Sequence, residues 1–349
     1  MLRMSFPAAV AFAALALAVA PSTGAQNAGT TPKYHIVARY VIGGEGGWDY
    51  LNVDTVGNRL FVTRTNRVQA IEIASGKVLA ELPGLDRGHG VAFDYAINRG
   101  FASSGEDSTA IMFDLATLKE LGRTIAAVDA DAILFDAASN HVFTFNGDAN
   151  SASVIDPSTG ARTSSIPLGG KPEFAVADGN GKVWVNIEDK NEIAELDAKT
   201  LTVVRRWSIK PCDSPSGLAI DRVHLRLFSV CGNRKMVVSD AVAGRVVATV
   251  PIGSGVDGAA FDSESGNAFA SNGEGTMTIV HEDTPDKYTV AQTLRTMSGA
   301  RTVTIDPVSH RIFTVGAKFG PTPKRATKEN PRRRPTIVAG SATVLVIGR

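Results

Sequence analysis

Cysteine is nearly missing from this chain of 349 residues, which carries only Cys212 and Cys231. A framework of several disulfides is excluded, and there is no paired-cysteine motif for redox chemistry. Charge of one sign is missing too, because 36 Lys and Arg stand against 35 Asp and Glu. No global field draws in nucleic acid or acidic substrates, so any charge-driven function must be local. Helical periodicity is absent beyond the N-terminal stretch. No Gly-rich phosphate loop or nucleophile elbow occurs either, so the chain lacks the signatures of nucleotide-phosphate binding and serine-hydrolase chemistry.

The one marked apolar run, residues 8–20, is too short and alanine-rich for a good transmembrane anchor. Arg3 precedes it and Thr23-Gly24-Ala25 follows, a small-residue cleavage site before Gln26. This pattern reads as a signal peptide over 1–25 with a flexible N-terminus over 26–33, which predicts an exported periplasmic or secreted monomer. No cysteine follows the run closely, so no lipid or membrane anchor is expected after cleavage. In an oxidising compartment Cys212 and Cys231 are expected to form a disulfide; the alternative is a pair of free thiols acting as metal ligands.

Apolar residues make up 44% of the chain and glycine occurs 34 times, a composition suited to an all-β protein with many turns. Residues 130–168 read as four short strands: 130–136, 141–145, 152–156 and 162–168. The aspartate that closes the first of them recurs as Asp54, Asp94, Asp136, Asp178, Asp221, Asp262 and Asp306, at intervals of 40 to 44 residues. A four-stranded unit with this period is the signature of a β-propeller blade, so the fold class is a seven-bladed β-propeller over 34–349. The last unit lacks one strand at its end, whereas 34–42 is a spare strand at the start. Pairing the two closes the ring and removes a sheet edge. The aspartates themselves are expected to cap turns.

Residues 318–338 interrupt the last blade. They carry Lys318, Lys324, Arg325, Lys328, Arg332, Arg333 and Arg334 against Glu329 alone, with four prolines, and read as a mobile basic loop. The loop could be a solvated surface, a lid or an anion-binding arm. Nucleic-acid binding through it is a weaker alternative, since it lacks interleaved aromatics for stacking.

Five places before each aspartate stand Asp49, His89, Asp131, Glu173, Ser216, Asp257 and Arg301. Each opens an innermost strand, so all seven should meet at one mouth of the central channel. Ten places after each aspartate stand Arg64, Ser104, Asn146, Glu188, Cys231, Asn272 and Gly316, expected to rim the same mouth. Salt bridges and water could fill such a ring. A divalent metal (calcium, magnesium, manganese or zinc) held by His89, Asp131, Glu173 and Asp257 is the sharper expectation, with Asp49 within reach. Trp48 could floor the pocket. His141, His224, His281 and His310 read as surface or packing residues.

The second strands contain Phe143-Thr144-Phe145-Asn146-Gly147, Phe61-Val62-Thr63 and Phe269-Ala270-Ser271-Asn272-Gly273, which look like degenerate YVTN repeats. The chain thus resembles the exported bacterial YVTN-repeat (YncE-like) seven-bladed propellers over essentially all of its mature length. The motif's asparagine survives only at Asn146 and Asn272. The resemblance implies the fold but no catalytic set. Function is therefore expected to be the binding of a small ligand, metal ion or partner protein at the mouth. The alternative is a lactonase-like metal-dependent hydrolase or lyase with His89 as ligand or general base.

Overall fold

The computed structural model describes residues 1–2, 33–327 and 333–349. Apart from Met1 and Leu2, the expected signal peptide lies outside the described residues. So do most of the 26–33 stretch and the middle of the basic insertion. Among the described residues no helix is long and apolar enough to cross a membrane.

Seven antiparallel sheets of four strands follow one another along 33–349. In the third, Ala130–Asp136, His141–Asn146, Ser151–Ile155 and Arg162–Pro167 reproduce the expected strands to within a residue. Each inner strand packs on the next, and that of the seventh blade on Trp48–Asp54 of the first, so the ring is closed. His35–Val41 pairs antiparallel with Thr343–Gly348 and completes the seventh sheet from outside. Tyr34 fixes this strand to the sixth blade. It packs edge-on against Phe269 at 5.2 Å, and its carbonyl accepts a 2.7 Å hydrogen bond from Gln292.

The blades adhere through one large residue in each second strand. Phe61, Phe101, Phe143, Phe228, Phe269 and Phe313 are at most 1% exposed, and Trp184 takes this place in the fourth blade. Truncating such a side chain to alanine costs about 3–5 kcal/mol. The repeated aspartates act as turn caps: Asp54 accepts from Gly57 N–H, Asp136 from Ser139 N–H and Asp221 from Val223 N–H. Cys212 and Cys231 form a disulfide, as an oxidising, exported setting would allow.

Two departures from regularity bear on function. The sixth blade's outer pair, Thr276–Thr284 and Lys287–Arg295, has nine residues per strand, longer than the corresponding strands of any other blade. The base of the insertion is not wholly irregular: Phe319 and Ile337 form a β-bridge, and Phe319 lies 6.3 Å from Trp48, ring to ring.

Candidate functional site: the polar mouth of the channel

In six blades the inner strand breaks register at or beside the predicted ring residue; in the first the shift falls between Trp48 and Leu51, in the second between Gly88 and Val91. A bulge puts two residues opposite one and re-aims their side chains. Here the bulge falls at the ring residue and its successor, and it brings Tyr50 and Phe174 to the channel. The successors are Tyr50, Gly90, Ala132, Phe174, Gly217, Gly258 and Thr302. Most are small because adjacent inner strands come close: a Cβ on Gly217 would lie 2.6 Å from the Asp257 carbonyl oxygen, and one on Gly258 2.6 Å from the Val303 nitrogen. Tyr50 and Phe174, from blades on opposite sides of the ring, meet edge to face at 4.8 Å. They, not Trp48, form the floor, and beyond them the channel widens into a cavity of about 510 Å³ with mixed polar and apolar walls. Trp48 instead lines a separate cavity of about 610 Å³ with Phe319, Arg301 and Arg334.

Above the floor the ring residues pair in sequence around the axis. Arg301 lies 2.7 Å from Asp257 through Nε and 3.1 Å from Asp49 through a terminal nitrogen. His89 Nδ1 lies 2.5 Å from Asp49 and 3.2 Å from Asp131. From Asp257 to Asp131 the charges therefore alternate in sign. The alternation fails at the fourth blade, where Glu173 follows Asp131 with no cation between them among the described residues. Lys171 approaches Glu173 from outside at 3.2 Å and is shared with Glu188 at 3.0 Å. Ser216 adds no charge, and its hydroxyl reaches only the Val256 carbonyl at 3.4 Å.

Protonation follows this pattern. Burial first, and then the charges of Asp131 and Glu188, push the Glu173 carboxyl up to about 9. Burial likewise raises Asp131 to about 7, His89 pulling against Asp49 and Asp257, and raises Asp257 to about 6 against the pull of Arg301. Burial disfavours the His89 cation, but the Asp49 hydrogen bond and the two neighbouring carboxylates outweigh it and raise His89. Tyr50 is held well above the ordinary phenol range by burial and by Asp131, Asp257, Asp49 and Glu173, so it remains a neutral donor.

Of the expected second tier, Glu188 reaches the mouth, while Arg64, Ser104, Asn146, Cys231 and Asn272 are held elsewhere. Arg64 is fully buried and donates to the carbonyls of Gly43, Glu45, Gly46 and Gly47 and to Gln69, tying down the loop that leads into the first blade. Asn146 serves Thr144, Ser151 and Ser153 within its own blade, and Asn272 serves Thr276 and Thr278. Ser104 bonds to the Asp86 backbone, and Cys231 is in the disulfide. Glu188 reaches the mouth because the fourth blade's first turn is one residue shorter. Ile187 there pairs with Pro172 where Arg64 pairs with Trp48, so Glu188 falls just past the strand and is free to turn inward.

Of the expected metal ligands, Asp131 and His89 gather with Asp49 within 4.8 Å, while Glu173 and Asp257 stand outside that group. The 2.5 Å contact between His89 and Asp49 is a strong charge-assisted hydrogen bond, which an ion bound there would have to replace. Tyr50, Phe174 and Lys171 escaped the sequence reading. The signal for the first two was present: they are the only aromatics at a position otherwise held by small residues or threonine.

No family model matches the chain, and no curated protein matches it. Among solved structures, hydrazine synthase of Kuenenia stuttgartiensis aligns with a TM-score of 0.66 over 84% of this chain and 95% of that one, at 14% identity. At that identity the likeness establishes the seven-bladed propeller fold and nothing finer.

Proposed function

We propose that the protein is an exported, non-enzymatic binding propeller of the YVTN-repeat kind, whose mouth captures a small organic cation, an amine or guanidine. The observation that carries this reading is the break in charge alternation at Asp131 and Glu173. Nitrogen cations already serve as counter-ions elsewhere in the ring, where Arg301 bridges Asp257 and Asp49 and His89 bridges Asp49 and Asp131. Asp131 has His89 on one side and Glu173 has Lys171 on the other, but among the described residues no cation stands between the two, and burial first, then neighbouring carboxylates, makes both resist ionisation. Ser216 and Gly217 next to them add little bulk. A ligand cation would complete the alternation and ionise both carboxyls, while Tyr50 stands below as a neutral hydrogen-bond donor.

Arginine and putrescine titrated calorimetrically into the protein should bind with release of protons from the carboxyls, so that the measured heat changes with the ionisation enthalpy of the buffer. Glu173→Gln and Asp131→Asn should each weaken binding by a factor of ten or more, about 1.4 kcal/mol. Unchanged affinity in both variants would refute the reading.

A second reading has one observation in its favour: the gathering of Asp49, His89 and Asp131 suits a metal-dependent hydrolase or lyase. It requires the ion to replace the hydrogen bond between His89 and Asp49. Stoichiometric manganese or zinc, lost in His89→Ala, would favour it over the amine.

A further inference from the structure

The second group of metal-ligating side chains lies far from the mouth, where the first turn of the fifth blade meets the long outer hairpin of the sixth. His224, expected as an ordinary surface residue, places Nδ1 2.6 Å from Asp221 Oδ2 and 2.9 Å from Glu282 Oε1. Asp221 is oriented beforehand by the backbone N–H groups of Val223 and His224. Glu282 exists at this place only because the sixth blade's hairpin is extended, and a register shift just beyond it re-aims the strand. Arg226 of the fifth blade holds the hairpin tip, through the Pro285 carbonyl at 2.7 Å and Asp286 at 3.0 Å.

The side chain of Glu282 is only 5% exposed; its Oε1 has the His224 contact alone, and among the described residues its buried Oε2 has no hydrogen-bond partner. A buried carboxylate in this condition costs several kcal/mol unless something else compensates it. One imidazole N–H lies between two carboxylates and cannot saturate both. A doubly charged ion can. The group is solvent-accessible, because Asp221, His224 and Glu282 line a cavity of about 410 Å³. The three donor atoms lie within 4.8 Å of one another, so side-chain adjustments suffice to converge them. His224 is half exposed and free to make them.

We propose that Asp221, His224 and Glu282 form a divalent-cation site of one imidazole and two carboxylates, suited to zinc or a neighbouring first-row metal, which clamps the sixth blade's hairpin onto the fifth blade. The ligand set is that of borderline metals, since the nitrogen donor disfavours calcium and magnesium. Three protein ligands leave a coordination position facing the cavity. The site is separate from the mouth and does not depend on the ligand proposed there.

The test is calorimetric titration of ZnCl2 into chelator-stripped full-length protein, with CoCl2 as an optical probe. The wild type should take up one equivalent that persists in an Asp131→Asn, His89→Ala background. Affinity should fall on the order of a hundredfold or more in Glu282→Gln and in His224→Ala, since losing a neighbour of a ligand already costs ten- to a hundredfold. Bound Co2+ should show a visible absorption band that both variants lose. Glu282→Gln preserves shape; if it nonetheless misfolds, His224→Ala, at a half-exposed side chain, decides. No saturable zinc binding in the wild type, or an affinity unaltered in the folded variants, would overturn the proposal.

Discussion

Replacing Asp131 by asparagine should stabilise the protein, but only at high pH. An ordinary aspartate titrates near 3.8, and in the folded ring Asp131 is raised to about 7, chiefly by burial. A carboxyl whose folded value exceeds its unfolded one binds its proton more readily when folded. Its contribution to stability is therefore complete below the unfolded value and is lost as pH climbs through about 7. At about 1.36 kcal/mol per pH unit, the full difference is on the order of 4 kcal/mol. This figure is already net of the favourable pull of His89, whose Nδ1 stands 3.2 Å away. The substituted amide mimics the protonated acid in shape and keeps an oxygen towards His89. For a chain of this size 1 kcal/mol is worth about 2 °C of melting temperature. Scanning calorimetry should thus find Asp131→Asn more stable than wild type by up to about 8 °C at about pH 8.5, with no gain at about pH 4. An equal gain at both pH values, or a loss at the higher one, would refute the account of a cation-starved mouth. The gain in stability comes with a loss of function, since amine binding should weaken in the same variant.

Two further substitutions separate scaffold from site. Cys212→Ala with Cys231→Ala opens a link spanning 19 residues and should cost about 3 kcal/mol in urea unfolding. A reductant should reproduce that loss in the wild type and do nothing to the variant. Arg64→Ala leaves four carbonyls of the entry loop without their donor and should cost about 3–5 kcal/mol while leaving amine affinity within about twofold. A large loss of affinity in the folded variant would return Arg64 to the mouth.

The propeller was legible in sequence because its cause is local and repeated. An Asx-capped turn and an aromatic blade seam recur with each unit, and the spare strand at 34–42 could only complete the unit that lacked one. Spacing also brought Asp49, His89, Asp131, Glu173, Asp257 and Arg301 to one mouth. It misplaced most of the second tier, because counting from an aspartate assumes seven equal turns. The one-residue-shorter turn after Asp178 moves Glu188 off its strand, and nothing in a count says whether Arg64 or Asn146 points at the channel or at its own blade. Their hydrogen bonds run inward.

The sequence alone determined the number of blades, the closure of the ring and which polar residues open its inner strands, since these depend on short-range periodicity and turn chemistry. Only the tertiary structure decided which charges neutralise one another, that Tyr50 and Phe174 shut the channel, and that Glu282 meets His224 across two blades. Those outcomes depend on distances of a few ångströms between residues tens to hundreds of positions apart, set by bulges and an extended hairpin that repeat counting does not register.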